Sequence, residues 1–163
     1  MNFQDCIDFV LKNPNGFTAT AEGNQPHVRP LTVWRADGTG IYFYLPKFKD
    51  VYRQLRENPK VEIAFHQPAA PQELRTLPEL GTVPDIGTLL RVTGRSEFLT
   101  DADTRKRLFD LHPWLKQLGD GTDNPMIAIF RIAEGEFSFW TLENNFQSNP
   151  APKITFNNSP MNP

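Results

Sequence analysis

Short apolar runs separated by tight turns constrain the fold of this chain more than any other feature of its sequence. Phe17–Ala21 is predicted to be a strand, Glu22-Gly23-Asn24 a turn, and His27–Arg35 a second strand. Asp37-Gly38 has the chemistry of a hairpin turn and leads into a third strand, Gly40–Leu45. The chain is therefore predicted to open as an antiparallel meander.

The rest of the sequence repeats this alternation of apolar runs and turns. Further strands are predicted at Lys60–His66, at Leu89–Leu99 with a bulge at Gly94, and at Met126–Ala133 and Glu136–Leu142, which flank Glu134-Gly135 as a last hairpin. Helices are predicted at Phe3–Lys12, from the Lys47 region to Asn58-Pro59, and from an Asp101 cap to Leu111. Six to seven strands with about three flanking helices predict a mainly β (α+β) protein built on a small antiparallel barrel.

The length of 163 residues suits one domain, residues 1–163. Residues 67–87 carry four prolines and few large apolar side chains, which predicts a long loop. Such a loop is either a lid or binding loop, or a solvated insertion. Residues 144–163 are expected to form a C-terminal tail in which only Ile154–Phe156 is structured.

The charge balance and the single cysteine limit the classes of partner. The net charge is -2 and no clustered positive field is visible, which argues against nucleic acid and against a polybasic membrane surface. No apolar run approaches the roughly 20 residues of a membrane span. Cys6 is alone, which excludes an internal disulfide and a cysteine metal site, and the three histidines lack metal-ligand spacing. We therefore expect a cytoplasmic protein, without a metal, that binds a small molecule.

Two lysines, Lys47 and Lys49, stand at the predicted start of a helix, which is the unfavourable end for cations. A bound anion reverses that preference, because free backbone N–H groups, the helix dipole and the lysines would all attract it. If the Asp37-Gly38 turn is central, strand pairing places Arg29–Thr32 opposite the region of Tyr44–Lys47, so that Arg29 joins the lysines. The alternative is that each cation is simply solvated.

Ordered motifs along most of the chain resemble one known family. They are Gln25–Trp34, Ile41–Tyr44 with Lys49, Leu55–Val61, Leu90–Gly94 with Glu97-Phe98, Ile129–Ile132, and Phe139–Thr141. Together they are similar to the pyridoxamine 5'-phosphate oxidase-like family of FMN-binding split β-barrels, of the general stress protein type. The resemblance runs from about Phe3 to Phe156 and implies a six- to seven-stranded antiparallel split β-barrel.

The resemblance also implies a homodimer with FMN at its interface. Carried over to this sequence, it assigns the phosphate and ribityl region to Arg29, Lys47 and Lys49. It assigns the flavin ring to the backbone of Pro30, Leu31 and Thr32, to Tyr44 and Leu45, and to Trp140 of the other protomer. Many family members have threonine at the position of Leu45, and the C-terminal arginine motif of true pyridoxamine phosphate oxidases is missing, so that reaction is not predicted.

The function implied is an FMN-binding oxidoreductase that uses NAD(P)H and a small acceptor. No catalytic acid or base is assigned, because the flavin would carry the chemistry. Alternatives within the fold are a barrel that binds deazaflavin F420 or haem, a flavin carrier or sensor without turnover, and a barrel that has lost its cofactor.

Overall fold

An antiparallel sheet dominates the computed structural model, which describes residues 2–71, 73–77, 81–118, 124–145 and 151–157. The strands in these ranges are β1 (Asn15–Glu22), β2 (Gln25–Thr32), β3 (Arg35–Asp37), β4 (Gly40–Pro46), β5 (Lys60–Gln67), β6 (Leu74–Leu77), β7 (Gly81–Pro84), β8 (Thr88–Leu99), β9 (Ile127–Trp140) and β10 (Lys153–Asn157). The helices are α1 (Phe3–Lys12), α2 (Asp50–Glu57), α3 (Ala102–Leu111), a 3₁₀ helix (Pro113–Leu118) and α4 (Leu142–Asn145). None of these helices is long and apolar enough to span a membrane.

The sheet has the order β2-β1-β5-β8-β9-β4-β3, and β10 pairs with β9 beside this path. Every ladder in it is antiparallel. The chain crosses from one outer strand, β2, to the other, β3, over Val33 and Trp34 alone. The two edges are thus close but not joined by a continuous ladder. The mainly β, split-barrel-like prediction is confirmed, although the described sheet has eight strands where six or seven were expected.

Side chains from alternate positions of the strands fill the barrel. Along β4, Ile41, Phe43 and Leu45 are almost completely buried in the main core. The amphipathic α1 closes one side with Cys6, Ile7 and Val10. A second, smaller cluster lies between α3, the 3₁₀ helix and the other face of β4 and β9, and it includes Tyr44 and Trp34. Strand β4 is therefore covered on both faces, which fixes the orientation of the residues that follow it.

Two predictions about the later part of the chain are corrected. The prediction of a last hairpin at Glu134-Gly135 is wrong, because β9 runs without a break from Ile127 to Trp140. Gly135 lies opposite Gly94 in the β8–β9 ladder, so the apparent turn dipeptide is a place where two backbones approach closely. The segment predicted as a long loop contains a hairpin, since β6 pairs with β7. The predicted tail also holds more structure than Ile154–Phe156: residues 144 and 145 belong to α4 and residues 153–157 form β10, while residues 146–150 and 158–163 lie outside the described part.

Gly135 is expected to be intolerant of a side chain. Its φ is +158°, and a Cβ added there would collide with the carbonyl oxygen of Thr93 and press on the Cα of Gly94. We expect Gly135→Ala to lower the free energy of unfolding by about 2 kcal/mol or more, measured by urea denaturation. Gly38→Ala is the matched control, because a Cβ at Gly38 meets no atom within 4 Å. Equal midpoints for the two variants would contradict this account of β9.

Candidate functional site

The N-terminus of α2 is left open by its own cap residue. The helix begins at Asp50, and Lys49 is the N-cap with extended backbone angles (φ -83°, ψ 142°) and no side-chain cap hydrogen bond. By contrast, the side chains of Asn2 and Asp101 accept cap hydrogen bonds at α1 and α3. The Lys49 carbonyl accepts from the N–H of Tyr52 over 2.9 Å, but a lysine side chain has no acceptor to offer to the other N–H groups of the first turn. An external anion can therefore accept from these groups and interact favourably with the helix dipole.

Both predicted lysines lie at this helix end with exposed side chains. The backbone N–H of Lys47 donates to the carbonyl of Met126 over 2.8 Å, and that of Lys49 donates to Pro46 over 3.1 Å. These bonds fix the turn between β4 and α2. The Lys49 Nζ lies 5.5 Å from the centre of the Phe48 ring. Neither ammonium group forms an ion pair with any residue of the described ranges, so both charges remain available.

The third predicted cation, Arg29, is half-buried beside α2 and bonded only to neutral groups. Its Nη1 donates to the Thr20 hydroxyl and to the His27 carbonyl, and its Nη2 donates to Oε1 of Gln54 over 2.7 Å. Burial lowers the pKa of Arg29 from its usual value, and the nearby charge of Asp50 partly offsets that effect. No described carboxylate lies within ion-pair distance of the guanidinium. Arg29 is thus a partly desolvated cation without a counter-ion of its own.

The route by which Arg29 reaches α2 differs from the predicted one. Strands β3 and β4 pair over only three residues each, Arg35–Asp37 with Gly40–Tyr42. The predicted ladder between Arg29–Thr32 and the Tyr44–Lys47 region is therefore wrong. Strand β2 pairs with β1 instead, and the side chain of Arg29 makes the connection to α2 through Gln54.

Most residues assigned to the flavin ring lie at the split, the gap between the outer strand β2 and the part of β4 that β3 does not cover. Pro30, Leu31 and Thr32 end β2, which is an outer strand. The backbone of Trp34 donates to the Tyr42 carbonyl and β3 extends no further along β4. In an antiparallel ladder the backbone N–H and C=O groups of alternate residues point to the same neighbouring strand, so those of Tyr44 point to the same side as those of Tyr42. Beyond the end of β3 they have no strand partner on that side among the described residues. The split therefore offers a main-chain edge to a flat ligand.

The side chains of Tyr44 and Leu45 in β4 pack against other side chains of the protein. Leu45 is 2% exposed and belongs to the main core, so only its backbone can contact a ligand. Burial raises the pKa of Tyr44, whose ring packs 5.6 Å from His112 and 6.3 Å from Trp114. The core therefore explains why leucine occupies position 45. A threonine there would direct its hydroxyl into the barrel interior and not toward a ligand.

Trp140 does not join the other predicted residues within one chain. It ends β9, opposite Leu89, and its indole N–H donates to Oδ1 of Asn145 in α4 over 2.9 Å. Leu45 pairs with Ala128, which lies twelve residues earlier on the same strand. At about 3.3 Å per residue the two ends of β9 are separated by up to about 40 Å along the strand. Trp140 and the strand partner of Leu45 thus lie near opposite ends of β9.

The polar residues that hold Arg29 were not predicted from the sequence. Gln54 is 2% exposed and bonds to Thr20 and Glu22 as well as to Arg29. Glu22 accepts two hydrogen bonds from Arg53, at 2.7 and 2.9 Å, and the bonds from Arg53 and Gln54 lower the pKa of Glu22 to about 2. One signal was present in the sequence: Gln54 occupies the apolar stripe of α2, three residues after Val51 and next to Leu55.

Comparison with known proteins agrees with the fold and the order of the motifs. Residues 4–141 match the sequence profile described as pyridoxamine 5'-phosphate oxidase. The chain belongs to the pyridoxamine 5'-phosphate oxidase family. The predicted resemblance is thereby confirmed. No curated protein sequence matches this family member significantly.

Solved structures share the split-barrel fold of this pyridoxamine 5'-phosphate oxidase family member at low sequence identity. A NimC/NimA family protein from Clostridium acetobutylicum is 22% identical, with a TM-score of 0.67 over 95% of this chain and 91% of that one. A FAD-binding protein from Mesorhizobium loti is 20% identical, with a TM-score of 0.56 over 82% and 89%. General Stress Protein 26 from Bacillus anthracis is 14% identical, with a TM-score of 0.59 over 87% and 100%.

Proposed function

We propose that the protein binds FMN non-covalently, with the phosphate held between Arg29, Lys47, Lys49 and the N-terminus of α2. The observation that carries this proposal is the combination of an uncapped helix end with three cations that have no carboxylate partner among the described residues. Membership of the pyridoxamine 5'-phosphate oxidase family and a FAD-binding structural relative support a flavin as the ligand.

The donor set at α2 fits a phosphate monoester. Lysine and arginine each form charge-assisted hydrogen bonds to phosphate oxygens, and the backbone N–H groups of a first helical turn donate to the remaining oxygens. The main-chain edge at Pro30–Thr32 and Tyr44 would face the flavin ring, with Leu45 contributing backbone only. A bound flavin supplies hydride transfer between a reduced nicotinamide and a small acceptor. The protein would bind the cofactor and orient its ring.

The proposal includes a homodimer in which Trp140 reaches the flavin site of the partner. Two observations support it. Trp140 lies near the opposite end of β9 from the strand partner of Leu45, which favours a contribution of Trp140 to the site of the other chain. The outer face of β1 and β2 also exposes large apolar side chains, since Phe17 is 55% and Val28 66% exposed. Contiguous exposed apolar surface of this kind is typical of protein–protein contacts.

Binding is tested by titrating the purified protein with FMN, FAD and riboflavin while following flavin fluorescence and the visible spectrum. We expect saturable binding of one FMN per chain, and sedimentation at the mass of a dimer. Anaerobic addition of NADH or NADPH is expected to bleach the bound flavin, and a small acceptor to restore its colour. Failure to bind any flavin would contradict the cofactor assignment. Binding without bleaching would contradict the oxidoreductase assignment alone.

A further inference from the structure

Gln54 is a buried polar side chain on the apolar face of α2. It is 2% exposed, between Val51 and Leu55 of the main core. Its Oε1 accepts from the Thr20 hydroxyl and from Nη2 of Arg29, each over 2.7 Å, and its Nε2 donates to Glu22 over 3.2 Å. The orientation of the amide is fixed by this network, because the reverse orientation would set its N–H₂ group against the Arg29 donor and its oxygen against the Glu22 carboxylate.

The amide of Gln54 separates a carboxylate from a guanidinium. Glu22 is the carboxylate of this network, and its two oxygens accept from Arg53 at 2.7 and 2.9 Å. Arg29, on the other side of the amide, donates only to neutral acceptors: Thr20, Gln54 and the His27 carbonyl. Glu22 is therefore paired with Arg53, whereas no described carboxylate lies within ion-pair distance of Arg29, and the charge of Asp50 acts on Arg29 only from farther away.

We propose that Gln54 is the positioning residue that makes the site selective for the phosphate ester of the flavin over unphosphorylated riboflavin. This inference rests on the proposed function. Three of the five guanidinium N–H donors of Arg29 have described partners, and these hold the group in one orientation beside Gln54 of α2. An acidic residue at position 54 would instead provide an internal counter-ion. The ligand's phosphate would then compete with a permanently attached carboxylate.

The sharpest test exchanges the two side chains in the double variant Glu22→Gln/Gln54→Glu. The exchange conserves composition and net charge, and an amide N–H at position 22 can still donate to the carboxylate at position 54. Arg53 retains Asp50 and Glu57 at 3.8 and 3.7 Å. We expect FMN affinity to fall about 10- to 100-fold, the equivalent of one charge-assisted contact, while riboflavin affinity changes less than about threefold. The single variant Gln54→Glu is expected to show the same loss of preference if the double variant does not fold.

Gln4→Glu is the matched control. Gln4 lies on α1 and donates to Asp8 over 2.8 Å, so the substitution adds the same charge beside a carboxylate without touching α2. It is expected to keep the wild-type ratio of FMN to riboflavin affinity. The wild type itself should prefer FMN at least about 100-fold at low salt, and the preference should decrease as salt screens the phosphate.

The outcomes separate this inference from the function on which it rests. If the wild type binds neither flavin, the proposed function fails. If it binds FMN and riboflavin equally, or if both acidic variants keep the wild-type preference, flavin binding stands and the role of Gln54 is overturned. A parallel loss of both affinities would mean that Gln54 supports only the fold.

Discussion

Lys49→Glu is expected to lower FMN affinity by more than about 100-fold while leaving the apoprotein as stable as the wild type. The substitution removes one charge-assisted contact and places a carboxylate where the phosphate would lie. Stability should be unchanged or slightly raised, because Lys49 is exposed, forms no ion pair in the described ranges, and a negative charge suits the N-terminus of α2. Fluorescence titration with FMN and thermal unfolding of the apoprotein measure the two quantities.

Lys60→Glu is the control for the Lys49 experiment. Lys60 is also exposed, begins β5 rather than a helix, and receives the same reversal of charge. It is expected to bind FMN within about twofold of the wild type. A Lys49→Glu protein that retains its flavin would show that the phosphate lies elsewhere.

Phe130→Ala is expected to lower the free energy of unfolding by about 3–5 kcal/mol, the largest effect on stability that we predict. Phe130 is fully buried near the start of β9, and its ring centroid lies 5.0 Å from that of Phe43, on which it stacks, and 5.9 Å from that of Phe98. Its truncation leaves a cavity between the two faces of the barrel that rigid strands cannot close. Urea denaturation at a single protein concentration measures the change, since any dimerisation makes apparent stability depend on concentration.

Phe48→Ala provides the comparison, because Phe48 is the same residue type at 70% exposure. It is expected to change the free energy of unfolding by less than about 0.5 kcal/mol. If Phe130→Ala were equally mild, the main core would not depend on the stack between β4 and β9.

Features with a local cause could be predicted from the sequence. The bounds of α1 and the Asp101 cap of α3 follow from helical periodicity and capping chemistry, which act within a few residues. The Asp37-Gly38 turn and the bulge near Gly94 were also predicted correctly. Lys49 could be recognised as a cation at a helix start because both facts lie within one short segment.

Features set by distant partners could not be predicted in this way. Glu134-Gly135 has the composition of a turn, but pairing with β8 keeps β9 continuous through it. Arg29 was expected to meet α2 through a hairpin, whereas Gln54 and Thr20 make the connection. Gln54 bonds to residues 25 to 34 positions away, and no local pattern gives those distances in sequence.

The unbroken course of β9 implies that defective chains could complement each other in the proposed dimer. One end of β9 lies beside Leu45 and the other carries Trp140, so each protomer would contribute to two different flavin sites. In a mixed dimer of a Lys49→Glu chain and a Trp140→Ala chain, both substitutions would fall in the same flavin site. The second flavin site would contain only wild-type residues. One site of each mixed dimer would then bind flavin, although each of the two parent proteins is impaired alone.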